Sequence, residues 1–387
     1  MNSVKDEAYK QLFSVSLFTQ SQNSRISPLR DREMAFVRVA FLLLLVLLTG
    51  VESRCLKKPI IFNFGDSNSD TGGLMAGLGY PINLPNGRQF FRRSTGRLSD
   101  GRLIIDFLCG SLSMKYLSPY LEALGSDFSQ GANFAIAGSA TLPKFQPFSL
   151  HIQVLQFLRF KARSLELARD SPHLIGADGF QNALYTFDIG QNDLSAAFSN
   201  MSYQQVLEKI PSVLEEIKGA IKMIYDEGGK NFWIHNTGPL GCLPQKLALN
   251  NKEFKDQYGC IKSYNDAAQA FNAGLHALCK ELRSQFINAT IVYVDIYSIK
   301  YDLIVNSAKY GFKNPLIACC GYGGPPYNYN VNVTCGLPPS QACPVGLRYI
   351  NWDGVHYTEA ASATVASKIL STNFSEPCLR FDYFCHV

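Results

Sequence analysis

Two short stretches far apart in the chain carry the residue types of nucleophilic catalysis. The first is Phe64-Gly65-Asp66-Ser67-Asn68-Ser69-Asp70-Thr71-Gly72-Gly73, and the second is Asp353-Gly354-Val355-His356. A serine hydroxyl is a poor nucleophile near neutral pH; it needs a base to take its proton and a third group to orient that base. Ser67 offers the hydroxyl, His356 the base and Asp353, three residues earlier, the orienting carboxylate. A serine after a strand is more commonly a turn or capping residue, so Ser67 gains its weight from these partners. Position 69 is serine rather than glycine, so the Gly-x-Ser-x-Gly elbow is not indicated. Of the six histidines, His356 has a carboxylate three residues upstream in a Gly-containing turn. His151 and His276 fall in helical patterns, and His235 lies in a buried-looking strand that leads to the same edge, which makes it the next base to test. A metal held by Asp353 and His356 lacks a third ligand in the sequence.

Acyl transfer also needs donors aimed at the oxygen on which negative charge develops. Gly138, which lets a backbone N–H approach closely, and Asn192, with a neutral side-chain N–H, are the candidates. Each alone reads as an ordinary turn residue. What places them together is the strand pattern. Short apolar runs at 60–64, 133–137, 183–189, 232–236 and 291–295 alternate with helical patterns. Val206, Ile210, Val213, Ile217, Ile221 and Ile224 recur at three and four, as do Tyr264, Ala268, Phe271, Leu275, Leu278 and Leu282. The alternation predicts βα units around a mostly parallel sheet, closed by a helix over 358–370 with Thr358 as its cap. In such a sheet the strand C-termini share one edge, where ligands bind. Polar turns at 65–68, 138–140, 190–193 and 237–241 would meet there.

With these blocks in order, the chain resembles the plant GDSL esterase/lipase family of the SGNH hydrolase superfamily. Ser67 stands in FGDSNSDTGG, Gly138 in NFAIAGSA, Asn192 in IGQND, and Asp353 with His356 in WDGVH. NTGPLGCLP and CCGYGGPPYNYN also look like the plant branch, and the resemblance runs from about 58 to about 370. It implies a flavodoxin-like three-layer α/β/α sandwich with a central parallel sheet, a Ser-His-Asp site and no cofactor. It also implies an oxyanion hole from the N–H groups of Ser67 and Gly138 with the Asn192 amide. Asn68 stands where the family name has leucine, as in early-nodulin-type and acetylesterase members. That leaves the nucleophile intact and the lipid preference open.

The chain has 387 residues, 47% hydrophobic and 17% charged, with net charge +5 and no block of like charges, so no nucleic-acid partner is indicated. Residues 34–53 read as a signal peptide: Arg38, an apolar run over 39–48, and Val51 and Ser53 before a cleavage that leaves Arg54 first. The run is short of the ~20 residues of a membrane span, so no stable membrane anchor is expected. Residues 1–33 fit no targeting pattern and read as a disordered upstream extension, with translation starting at Met34. Residues 54–387 then form one domain, secreted to the apoplast or cell wall. Sequons at Asn200, Asn288, Asn332 and Asn373 predict glycosylation. Eleven cysteines leave at least one thiol free, and of the adjacent Cys319 and Cys320 one is expected to bridge to Cys335 or Cys343.

The aromatic loop over 321–329 reads equally as a sugar-binding wall or a disulfide-tied surface loop. The five arginines of 88–102 read as a loop leading to a helix capped near Ser99 or Asp100 rather than as an anion site. The function expected is hydrolysis of acyl or acetyl esters, small-molecule or glycan-borne. An acyltransferase would use the same site with an alcohol in place of water, and an inactive glycan- or wall-binding homologue need not keep these five residues. A glycosidase needs two opposed carboxylates, and the motifs offer no such pair.

Overall fold

The computed structural model describes Cys55, residues 58–168, Ser171 and residues 174–385. The expected signal peptide and upstream extension, His173 and His386 lie outside them. The first apolar run forms β1 (Ile61–Gly65), followed by α1 (Gly73–Leu78), α2 (Ile104–Ser111) and β2 (Gly131–Asn133). Next come α3 (Leu150–Leu167), α4 (Ala177–Asn182), β3 (Leu184–Asp188), α5 (Gln191–Asn200) and α6 (Tyr203–Asp226). Then follow β4 (Asn231–His235), α7 (Pro244–Leu249), α8 (Lys262–Gln285), β5 (Thr290–Val294) and α9 (Ile296–Val305). A two-stranded ribbon, β6 (Cys320–Gly321) with β7 (Gln341–Ala342), precedes α10 (Glu359–Leu370) and the short strand β8 (Ser375–Glu376).

The sheet order is β2-β1-β3-β4-β5-β8. The first five strands are parallel and β8 is antiparallel at the edge. Chain direction across the sheet reverses at β1, which has β2 on one side and β3 on the other, the flavodoxin-like switch point beside which ligands bind. Side-chain alternation divides the core into two layers. Phe62, Phe64, Tyr185, Phe187, Phe232 and Ile234 pack with α3, α6 and α8. Ile61, Leu184, Trp233, Val292 and Val294 pack with α2, α9 and α10. These are the three layers the sequence predicts. The second strand ends at Asn133, earlier than the apolar run, although Phe134 and Ile136 still donate to the carbonyls of Asn63 and Gly65.

The predicted closing helix is α10, and Thr358 caps it by accepting the N–H of Ala361 at 3.2 Å. The helix after the arginine-rich stretch starts later than expected, at Ile104. Asp106, not Ser99 or Asp100, receives the N–H of Leu103 at its start, while Asp100 accepts the N–H of Glu359 at the start of α10. Three of the arginines serve structure. Arg97 makes a two-pronged ion pair with Asp106 at 2.7 and 2.8 Å and also donates to the carbonyl of Thr71. Arg102 pairs with Glu359, and Arg88 stacks over Trp352. The adjacent cysteines both form bridges, Cys319–Cys343 and Cys320–Cys335, alongside Cys242–Cys260 and Cys55–Cys385. Cys109, Cys279 and Cys378 are free thiols, three where the count required at least one.

Because both partners of the Arg97–Asp106 pair are almost fully enclosed, removing one strands a buried charge. Asp106→Ala should lower unfolding free energy by about 3–5 kcal/mol in a urea titration, and a loss under about 1 kcal/mol would mean the pair is hydrated in solution.

Candidate active site

The loop that leaves β1 is held from below by buried polar groups. Asn63 donates to the Ser69 hydroxyl at 3.0 Å and to the Asn133 side chain at 2.7 Å, and accepts from Thr186 at 2.7 Å. Asn133 in turn donates to the Ser69 carbonyl and the Thr71 hydroxyl. From α3, the fully buried Gln153 clamps Gly65, accepting its N–H at 2.9 Å and donating to its carbonyl at 2.8 Å. A Cβ at position 65 would stand 2.3 Å from the Asp188 carbonyl oxygen, so only glycine lets β1 and β3 close here. The loop at 138–142 is tied to the start of α5. Asp193 accepts from the N–H and hydroxyl of Thr141 and from the N–H of Leu142, and Asn192 donates to the Ser139 carbonyl at 2.9 Å. Asp70 links this loop to that of Ser67, accepting from the N–H groups of Gly72, Leu74 and Ala137.

At the other end of the chain, Asp353 shapes its own turn. One carboxylate oxygen accepts the N–H groups of Val355 and His356 at 3.0 and 2.9 Å, and the other meets His356 Nδ1 at 2.6 Å. Bonded in this way, the neutral ring carries its proton on Nδ1 and presents Nε2 as an acceptor. Nε2 is buried and has no hydrogen-bond partner among the described residues. Trp352, fully buried and donating to Asn86 at 2.8 Å, fixes the turn from beneath.

Gly138, Asp353 and His356 line one cleft of about 370 Å³. Ser67, 5% exposed, and Asn192 do not line it; Asn192 is tied to the carbonyl of Ser139, next to Gly138, and the carboxyl of Asp66, next to Ser67, lies close enough to His356 to act on its charge. Gly138 has a φ of +86°, a conformation that favours glycine, and a Cβ there would meet nothing within 4 Å, so its α-carbon borders open space. Residues 237–241 also do not line the cleft, which the chain reaches only beyond them, at Gln245. A hollow of about 420 Å³ lies elsewhere, beside Phe90, Arg102 and Leu347, and holds none of the predicted site residues. The aromatic loop contributes Tyr329, whose hydroxyl accepts from Gln245 at 3.1 Å.

The site is electrostatically uneven. Burial opposes a charge on His356, but the Asp353 carboxylate, helped by Asp66, holds its pKa above the ordinary imidazole value. Burial, and then the charge of Asp188, pushes Asp66 up to about 7. Asp188 goes the other way: burial is overcome by His235 and Lys300, which hold it below the usual range. His235 is fully engaged. Its Nε2 accepts from Trp233 at 3.1 Å and its Nδ1 faces Asp188 at 3.4 Å, so it has no free acceptor to offer as a base. His276, between α8 and β8, bonds Glu376. Sequence reasoning missed Asn63, Asp70, Asn133, Gln153 and Asp193. All five act on backbone or side chains of the loops, and their partners become visible only in the fold.

Residues 61–369 match the family described as GDSL-like Lipase/Acylhydrolase. The chain belongs to that family. It is 59% identical to GDSL esterase/lipase At1g09390 of Arabidopsis thaliana over 92% of this chain and 98% of that protein. It is 60% identical to GDSL esterase/lipase LIP-4 of the same plant, over 90% of this chain and 96% of the relative. GDSL esterase/lipase At3g62280, also from Arabidopsis thaliana, is 56% identical over 85% and 91%. Membership at this identity and coverage makes the protein a carboxylic ester hydrolase of the GDSL type.

The Asp353–His356 bond makes a prediction that does not depend on activity. The His356 ring, followed by NMR, should titrate above the ordinary value of about 6.5, because the carboxylate favours the charged form. Asp353→Asn should move that titration to lower pH; an unchanged midpoint would show that the pair is not formed in solution.

Proposed function

We propose that the protein is a secreted serine esterase that works through Ser67, His356 and Asp353. The observation that carries this reading is the buried His356 ring, fixed by Asp353 through Nδ1 and left with Nε2 as an unengaged acceptor on the cleft. Ser67 Oγ attacks the ester carbonyl and its proton passes to Nε2. The carbonyl oxygen takes the negative charge, met by the N–H groups of Ser67 and Gly138 and by the Asn192 amide. Asn192 already spends one N–H on the Ser139 carbonyl, which fixes the amide plane and leaves its second N–H for the oxyanion. The C–O bond to the alcohol then breaks, and His356 returns the proton to the departing oxygen. Water repeats the sequence on the acyl-enzyme and releases the acid.

Secretion is supported by the apolar run at 39–48 and by four disulfides, which persist in oxidising compartments. Asn200, Asn288, Asn332 and Asn373 are all exposed, as glycosylation requires. No helix among the described residues is long and apolar enough to cross a membrane. The substrate is a small-molecule or glycan-borne acyl ester.

Two measurements test these assignments. Ser67→Ala should abolish ester hydrolysis and fluorophosphonate labelling while the circular dichroism spectrum stays as in the parent; substantial turnover by the variant would remove Ser67 from the mechanism. The protein recovered from plant culture medium should begin near Arg54 and lose mass with an N-glycan-releasing glycosidase, and retention of 39–48 or an unchanged mass would refute the secretory reading.

A further inference from the structure

Two cavities meet at the Gly138 loop. The 370 Å³ cleft holds His356 and is walled by Tyr80, Tyr329, Val331 and Leu337. A second cavity, of about 280 Å³, opens on the other side, between Leu78 at the end of α1 and the turn carrying Leu142, Gln146 and Phe148. Both are lined by Leu74, Ala137 and Gly138, and His356 lines only the first. An ester likewise has two halves that diverge from one carbonyl. Gly138 stands where that carbonyl oxygen is received in the proposed mechanism, so the halves must leave it in different directions.

Proton bookkeeping decides which half goes where. In the tetrahedral intermediate the carbonyl carbon bears the Ser67 oxygen, the oxyanion, the acyl chain and the alcohol oxygen. His356 took the proton from Ser67 and must give it to the alcohol oxygen as the C–O bond breaks, so that oxygen faces Nε2. The acyl carbon receives no proton and has no need of the histidine. We infer that the His356 cleft is the alcohol subsite and the cavity between Leu78 and Gln146 is the acyl subsite, an inference that rests on the serine-esterase reading above. The larger volume lies on the alcohol side. Its wall of Tyr80, Tyr329, Val331 and Leu337, with Asn83 and Gln245 among them, suits a bulky alcohol with an apolar face and a few hydrogen-bonding groups. Much of that wall, from Tyr329 to Leu337, belongs to the segment pinned by Cys319–Cys343 and Cys320–Cys335. The alcohol subsite therefore has a covalently fixed side.

The test uses two substrate series on the full-length protein. One varies the acyl group on a constant alcohol, from p-nitrophenyl acetate to octanoate. The other varies the alcohol on a constant acetate, from ethyl to 1-naphthyl, followed by acid release. Leu78, Gln146, Val331 and Leu337 are all exposed, so a tryptophan at any of them narrows a cavity without entering the core. Gln146→Trp and Leu78→Trp should each lower the octanoate-to-acetate ratio of kcat/KM by about 10-fold and leave the naphthyl-to-ethyl ratio within about twofold. Val331→Trp and Leu337→Trp should do the reverse. Crossed results, both ratios moving together, or neither ratio moving in any of the four variants would overturn the assignment. If the parent protein hydrolyses no ester and Ser67 takes no fluorophosphonate, the esterase reading itself falls and the partition goes with it. That outcome is distinct from a parent that turns over both series while its variants respond in the wrong one.

Discussion

The Asp70 carboxylate gathers backbone N–H groups from two loops that are remote in sequence. Gly72, Gly73 and Leu74 donate to it from the start of α1, and Ala137 donates from the loop that carries Gly138. Burial raises its pKa, and the donors favour the charged form that accepts them. Without this link, the peptide after Ser67 and the peptide of Gly138 would each be free to choose their own positions. A serine nucleophile and an oxyanion donor separated by an ångström too much lose most of their advantage. The Asn63–Asn133–Thr186 network and the Gln153 clamp serve the same end from below and behind. A sheet edge gives strand ends in roughly the right place; these polar contacts turn that into a fixed constellation.

How much of this was legible follows from the range of each interaction. β1, β3 and β4 are short apolar runs ended by polar turns, β5 is such a run without the turn, and α6 and α8 repeat apolar residues at three and four, so local pattern sufficed for them. Asp353 and His356 lie three apart, and their bond stays within one turn. Thr358 caps the helix that starts one residue later. Gln153 and Gly65, by contrast, are 88 residues apart, and nothing around Gln153 distinguishes it from any other polar residue in a helix. Asp106 was invisible as a cap because it sits inside the helix and reaches back to the N–H of Leu103, an apolar residue that marks no helix start. The strand β8 has two residues and carries no pattern at all. The turn at 237–241 has the same look as the other three, but its backbone is taken by Asn272 of α8 rather than turned to the cleft.

The disulfides divide labour with the sheet. Cys242–Cys260 ties the segment before α8, and the two bridges of Cys319 and Cys320 hold a stretch with almost no regular structure. That stretch contributes a wall of the cleft, yet its backbone ladder is only the β6–β7 pair. Secondary structure therefore positions the loops of Ser67, Gly138 and Asn192, while covalent bonds hold a wall of the cleft. The separation lets the wall vary in sequence without disturbing the Asp353–His356 turn or the loop of Ser67.

Cys55–Cys385 joins residues 330 apart and so closes the described domain into a covalent ring. Cys385 follows Phe381 and Phe384, which pack edge-on against Trp233 of β4, so the bond is anchored at the core and not on a loose tail. A ring differs from a chain in how it responds to damage. One peptide bond hydrolysed in an exposed loop, such as that around Phe145, turns a linear protein into two pieces that diffuse apart once unfolded. Here both pieces stay attached, and the nicked molecule can find its native arrangement again as a single body. Wherever such a molecule meets a protease, that closure gives it a working life that its core packing alone would not.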